Sequence, residues 1–166
     1  MKETLNQSEI QRVNFDSPEQ EVFLQIWRTY DCLKVLEDTL FMQYELSPQQ
    51  YNVLRLLQIA APGKMQTMEL GRRLISRCPD TTRMLDRLEK RSLIERTRVP
   101  ENRRVVEVSI TRQGQALLKK MDQSVVAMHH QQLGHLSAPE HNKLIQLLKK
   151  AREPHEDASC DWLESR

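Results

Sequence analysis

The sequence has only four glycines in 166 residues, and none of them builds a glycine-rich loop able to cradle phosphates. It lacks a G-x-S-x-G nucleophile elbow and an H-E-x-x-H helix, and no cysteine and histidine stand at a spacing useful for nucleophilic catalysis. Catalysis therefore finds no support in the residues. The three cysteines, Cys32, Cys78 and Cys160, are widely separated and form no CxxC pair, which fits a reducing compartment better than a disulfide framework. No apolar run approaches the ~18 residues of a membrane span, and no basic-then-apolar segment opens the chain. The protein is read as soluble and cytoplasmic.

What is present is charge in one place. The formal net charge is only +2, but residues 67 to 112 hold 12 Lys and Arg against 7 Asp and Glu, and the remainder of the chain is net acidic. Eleven of those twelve cations are arginine, whose planar fork suits phosphates and guanine edges better than the point charge of lysine. A length of 166 residues fits one domain with some elaboration.

Residues 1 to 16 are polar and aperiodic and read as a flexible N-terminal arm. Ser17-Pro18-Glu19-Gln20 combines a capping Ser, a first-turn Pro and a Gln three residues on, so a helix is predicted to start there. Phe23, Trp27, Tyr30, Leu33, Leu40, Phe41 and Tyr44 recur near helical spacing with Val22, Ile26 and Leu36 beside them, predicting packing against more than one element. The same start signal recurs at Ser47-Pro48-Gln49-Gln50, and a second, buried helix carrying Tyr51, Val53, Leu54, Leu56, Leu57 and Ile59 is predicted to end at Ala61-Pro62-Gly63. Thr67 is placed as the cap of a third helix carrying Met68, Leu70 and Leu74. After a break at residues 75 to 78, Pro79 is placed as the first residue of a fourth. That helix would bury Thr81, Met84, Leu85 and Leu88 and leave Asp80, Arg83 and Arg87 on its open face.

The periodicity then changes from helical to alternating. Residues 94 to 99, a turn at Pro100-Glu101-Asn102, and Val106, Val108 and Ile110 alternating with Val105, Glu107 and Ser109 read as a β-hairpin with Arg103 and Arg104 at its tip. Two short helices followed by such a hairpin form a winged helix-turn-helix pattern. Thr111 caps a long helix with Leu117, Leu118, Met121, Val125 and Met128, and Ser137-Ala138-Pro139-Glu140 opens a last one with Leu144, Ile145, Leu147 and Leu148. Residues 152 to 166 lose periodicity and read as a tail, docked through Trp162 and Leu163.

The run DTTRMLDRLEKRSLIERTRVPENRRVVEVSITRQGQALL, residues 80 to 118, closely resembles the MarR family of bacterial regulators, whose pattern is TRLxDRLExxGLIxR…DRRxxxVxLTxxGxxLL. The close match covers about a quarter of the chain, and the flanking helix order is compatible over nearly all of it. The resemblance implies a mainly α fold with a small β-wing (α+β): a winged helix-turn-helix over residues 47–111, with N- and C-terminal dimerisation helices over 17–46 and 112–151. It further implies a triangular homodimer in which the first and last helices of both subunits interlock. Two residues depart from the family pattern. Ser92 stands where a Gly normally turns the chain at positive φ, and Asn102 stands where an Asp normally braces the wing.

Under that reading the partner is duplex DNA. Thr81, Thr82, Arg83 and Arg87 would face the major groove, since the start and open face of the recognition helix reach the bases. Arg98, Asn102, Arg103 and Arg104 would form the wing contact, with Arg104 aligned to the family's minor-groove arginine. Arg72, Arg73, Arg77 and Arg96 would contact phosphates. In the family, small aromatic effectors bind between the dimer helices and the winged domain, which makes Trp27, Arg28 and Tyr30 pocket candidates; core packing is the competing role. A redox-sensing branch places its reactive cysteine near the start of the first long helix, about two turns before Cys32, so Cys32 is read as a buried structural thiol with sensing as the alternative. His129, His130, His135 and His141 have no clean metal spacing, and no cofactor is expected. A winged helix used only for protein contacts is the remaining alternative; it would need no arginines on the helix face and wing tip.

Overall fold

The computed structural model describes residues 15–76, 80–100 and 102–156. Most of the expected N-terminal arm, Arg77 to Pro79, the tail beyond residue 156 and the side chains of Arg103 and Arg104 lie outside the described residues. Within them the chain is mainly helical with one small antiparallel sheet, in the order α1 (Pro18–Met42), α2 (Pro48–Ala60), β1 (Met65–Gln66), α3 (Thr67–Arg73), α4 (Thr81–Lys90), β2 (Ile94–Val99), β3 (Asn102–Ile110), α5 (Arg112–Leu133) and α6 (Ala138–Arg152). It divides into two compact units, residues 1–35 and 36–166.

The first unit is the leading part of α1. Its start follows the sequence signal: Gln20 N donates to Ser17 Oγ at 3.2 Å, while the Gln20 side chain reaches back to Asp16 N at 2.7 Å. Within one chain the apolar stripe stays open. Phe41 is the one buried residue of α1, and Val22, Phe23, Ile26, Trp27 and Tyr30 are all exposed in the single chain. Cys32 is exposed as well, correcting the buried-thiol expectation, because this stretch of helix has nothing covering it within its own unit.

The second unit holds the core. Val53, Leu54 and Leu57 of α2, Leu70 of α3, Met84, Leu85 and Leu88 of α4, Leu93, Ile94 and Val108 of the sheet, and Leu118, Met121 and Val125 of α5 form one buried cluster. A capping box closes the N-terminus of α2, with Gln50 N donating to Ser47 Oγ and Ser47 N to Gln50 Oε1. The Ser137–Glu140 pair does the same for α6. That helix nevertheless buries nothing: Leu144, Ile145, Leu147 and Leu148 stay open. Ile59, expected on a buried helix, and Met68, on the apolar pattern of the third, are 73 % and 72 % exposed. Each sits on a short helix whose buried stripe is already filled by neighbours, Leu57 in one case and Leu70 in the other.

The sheet has the order β1-β3-β2. Its smallest strand, β1, has no counterpart in the sequence reading, since two residues are too few to show a period. Met65 pairs with Val108 and Gln66 with Glu107. Thr67 is not a helix cap: Gln66 holds that position, and the Thr67 hydroxyl donates to the Val106 carbonyl at 3.1 Å, tying the start of α3 to the wing. Strand β2 pairs with β3 from Ile94↔Ile110 to Arg98↔Val106, and a register shift then brings Val99 opposite Asn102.

Candidate nucleic-acid interface

Helix α4 presents the chemistry. Its buried stripe is Met84, Leu85 and Leu88, and the opposite face carries Thr82, Arg83 and Arg87, all exposed; Thr81 is half-buried. This arrangement follows directly from 3.6-residue spacing, with apolar residues at i, i+1 and i+4 and cations on the remaining arc. The helix begins at Thr81, two residues later than the Pro79 signal suggested. Asp80, expected on the open face, is the N-cap and accepts from Arg83 N at 3.3 Å. Its other oxygen lies 3.3 Å from Arg83 Nε, but the Arg83 side chain is 79 % exposed. A pair so open to water contributes little, so the guanidinium is available to exchange this carboxylate for another acceptor.

The C-terminal end of α4 is fixed to the rest of the unit. At its C-terminus Ser92 adopts φ 55, so the left-handed turn is kept although the residue is not Gly. Leu93 N donates to Leu88 O and Ser92 N to Glu89 O, the paired bonds of a Schellman motif, with buried Leu93 and Leu88 as its apolar contact. The strained turn is held from outside, since Thr111 Oγ1 donates to the Ser92 carbonyl at 2.7 Å. The same hydroxyl accepts from Gly114 N at 3.0 Å, capping α5. A Cβ on Gly114 would stand 2.3 Å from the Leu93 carbonyl. The T-x-x-G motif thus has a physical reading: Thr joins recognition helix to wing to α5, and Gly lets α5 approach that junction.

Arg96 is the residue whose expected role changes. Expected on a phosphate, it is instead engaged by two carboxylates of α4: its Nε donates to Glu89 Oε2 at 2.9 Å, and its Nη2 contacts both Glu89 and Asp86. Its backbone N also donates to Glu89 Oε1. Hydrogen bonds from Arg96 hold the Glu89 carboxyl below the usual glutamate range, and the same bonds raise Arg96. This is a brace between α4 and β2. The sequence carried a signal for it, carboxylates at i and i+3 on α4 facing the first alternating strand.

The other expected contacts divide. Arg72 and Arg98 are exposed. Arg73 is half-buried and pairs with Glu69 at 2.9 Å. Asn102 is exposed at the start of β3. Trp27 and Tyr30 lie open on α1, Phe23 leaning on Trp27 with ring centroids 6.1 Å apart, and Arg28 pairs only loosely with Asp31 at 3.5 Å. His129 lies 2.9 Å from Gln132 Oε1, and His141 donates to the Leu133 carbonyl. Among the described residues no group of three or more His, Cys, Asp or Glu could hold a metal ion, and no helix is long and apolar enough to cross a membrane. Sequence reasoning missed two positioning contacts. Asn52 of α2 accepts from Ile75 N just after α3 at 3.2 Å, and Arg91 reaches the turn after α1.

Comparisons with known proteins agree with this architecture. The MarR family model matches residues 46–106. A MarR transcription factor from Planctomyces limnophilus is 50 % identical, with a TM-score of 0.66 over 82 % of this chain and 99 % of that one. A mutant MarR from E. coli, solved in complex with operator DNA, is 28 % identical with a TM-score of 0.71, covering 79 % of this chain and 93 % of its own. An uncharacterized HTH-type transcriptional regulator of Bacillus subtilis, YkoM, is 28 % identical over 144 residues, 84 % of this chain and 92 % of the relative. With a winged helix-turn-helix architecture and half of its aligned residues identical to a relative it spans almost completely, this chain belongs to the MarR family of DNA-binding transcription regulators.

Proposed function

We propose that the protein is a cytoplasmic, homodimeric repressor that binds a pseudo-palindromic operator and is released by a small aromatic effector. The observation that carries the reading is the exposed face of α4. Thr82, Arg83 and Arg87 project from a helix whose other side is locked into the core, as base reading requires. Thr81 contributes at the helix start. Arg98, Asn102, Arg103 and Arg104 on the wing follow the groove beside it, and Arg72, Arg73 and Arg77 supply phosphate contacts. Arg96 leaves that set, because its charge is already met by Glu89 and Asp86. The relative solved with operator DNA supports the same use of the fold. The apolar residues left open on α1 and α6 support a second chain. Trp27, Arg28 and Tyr30 remain the proposed effector contacts.

The test is charge reversal. Arg83→Glu with Arg104→Glu should abolish binding to duplexes selected from random-sequence DNA while sedimentation still shows a dimer. Wild-type affinity should fall about 10³- to 10⁵-fold between 50 and 200 mM salt if ~6 to 10 phosphates are neutralised. A flat salt response, or binding that survives the reversal, would overturn the proposal in favour of a protein-contact module.

A further inference from the structure

Two turns in the second unit adopt left-handed backbone at residues that are not glycine, Glu45 at φ 54 and Ser92 at φ 55. Each closes a Schellman motif. At the first, Leu46 N donates to Phe41 O and Glu45 N to Met42 O, with Phe41 and Leu46 both buried. Left-handed backbone is unfavourable for a residue with a Cβ, so something must hold it there. At Ser92 the holder is Thr111. At Glu45 it is Arg91, the residue that ends α4: one guanidinium nitrogen donates to the Glu45 carbonyl, the other to the Tyr44 carbonyl at 3.1 Å and lies 3.7 Å from the Glu45 carboxylate. Tyr44 is anchored in turn, its hydroxyl 3.3 Å from Ser124 Oγ of α5 and its ring beneath Lys120.

We propose that Arg91 is a positioning residue for sequence discrimination, fixing the angle of the recognition helix by clamping its C-terminal end to the Tyr44–Glu45 turn. The inference rests on the reading of α4 as the base-reading helix. Geometry supplies the lever. A ten-residue helix is about 15 Å long, so a tilt of roughly 10° at the clamped end moves the other by roughly 2 to 3 Å. That exceeds the tolerance of a hydrogen bond to a base edge. Thr81, Thr82 and Arg83 sit at the far end of the lever. Arginine suits the task because its fork meets two adjacent carbonyls at once, which a lysine ammonium on a single flexible stem cannot do in one fixed geometry. The clamp also differs in kind from the Asp80–Arg83 pair at the other end, which is open to water. Arg91 is only 32 % exposed and bonds to backbone that the core holds still.

The experiment uses the full chain and two probes: the tightest duplex recovered from random-sequence selection, and a scrambled duplex of equal length. Arg91→Ala should weaken binding to the selected duplex about tenfold, the equivalent of one misaligned base contact, with the scrambled duplex bound as by wild type. The slope of log affinity against log salt should stay unchanged, because no phosphate contact is lost. Arg91→Lys, which keeps the charge and serves if the alanine variant does not fold, should fall between alanine and wild type with that same slope. A selected-to-scrambled ratio equal to wild type in both variants would overturn the proposal. So would a slope reduced by about 0.9 per phosphate, which would make Arg91 a direct DNA contact. Failure of the wild-type protein to prefer any duplex would instead overturn the regulator reading on which the proposal rests.

Discussion

Helices α4 and α6 are both amphipathic, yet they complete themselves in opposite ways. Helix α4 buries Met84, Leu85 and Leu88 inside its own chain and leaves its cations open. Helix α6 is longer, has a full capping box, and buries nothing. Its Leu144, Ile145, Leu147 and Leu148 are 37 to 52 % exposed. An apolar stripe is a statement about some partner, and the two helices differ in where that partner comes from. The winged part is satisfied within one chain; α6 needs something outside it, which under the proposed function is a second copy.

The sharpest way to break this comparison is to truncate one leucine in each helix. Leu88→Ala, in a fully buried site, should cost about 2 to 5 kcal/mol of folding stability in urea unfolding, independent of protein concentration beyond the dimer's own dependence. Leu148→Ala should act mainly on association: the monomer-dimer equilibrium shifts toward monomer in sedimentation, and the midpoint of unfolding becomes more concentration-dependent. Equal, concentration-independent losses at both sites would erase the distinction. Gly114→Ala tests the junction of wing and α5. The added Cβ meets backbone, so about 1 to 3 kcal/mol should be lost to overpacking in the same assay, with the dimer interface untouched.

Smaller effects sharpen the picture within the winged part. Glu89→Gln weakens the brace to Arg96 and should cost about 1 kcal/mol at neutral pH, given how open the carboxylate is. Because folding lowers the Glu89 pKa, its contribution is complete above the unfolded value of about 4.3 and is lost as pH falls through the lower folded value. Wild type and variant should therefore draw together in stability progressively as pH falls below about 4.3; a gap that does not narrow on acidification would show that the brace is not what titrates. Least of all, Ser92→Gly should raise stability by up to about 1 kcal/mol, a few degrees in thermal melting, by relieving the left-handed turn.

The starts of α1, α2, α5 and α6 and the change of period at Ile94 were legible in the sequence because each is a local rule acting on neighbours. The apolar faces of α1 and α6 were legible, but not what covers them, for a physical reason: periodicity reports that a face is apolar, not whether the covering surface belongs to the same chain. Ile59 and Met68 failed in a related way, as single apolar residues on short helices whose cores were already full. The candidate site was legible in its face, Thr82, Arg83 and Arg87, but not in its supports. Arg91, Arg96 and Asn52 act across 7 to 47 residues of chain, and charge counting cannot tell an arginine facing solvent from one already paired.

The two-residue strand β1 has a consequence for how the molecule folds. It precedes α3, while its partner β3 follows α4, and Met65 meets Val108 across the whole reading head. The β1–β3 pairing is therefore a clasp that encloses both helices, a distant pairing whose loop entropy must be met before its bonds form. Excising residues 67–112 would keep both helices of the motif and all its arginines and discard the clasp. Such a fragment should carry the charge of the intact protein's reading surface without its order.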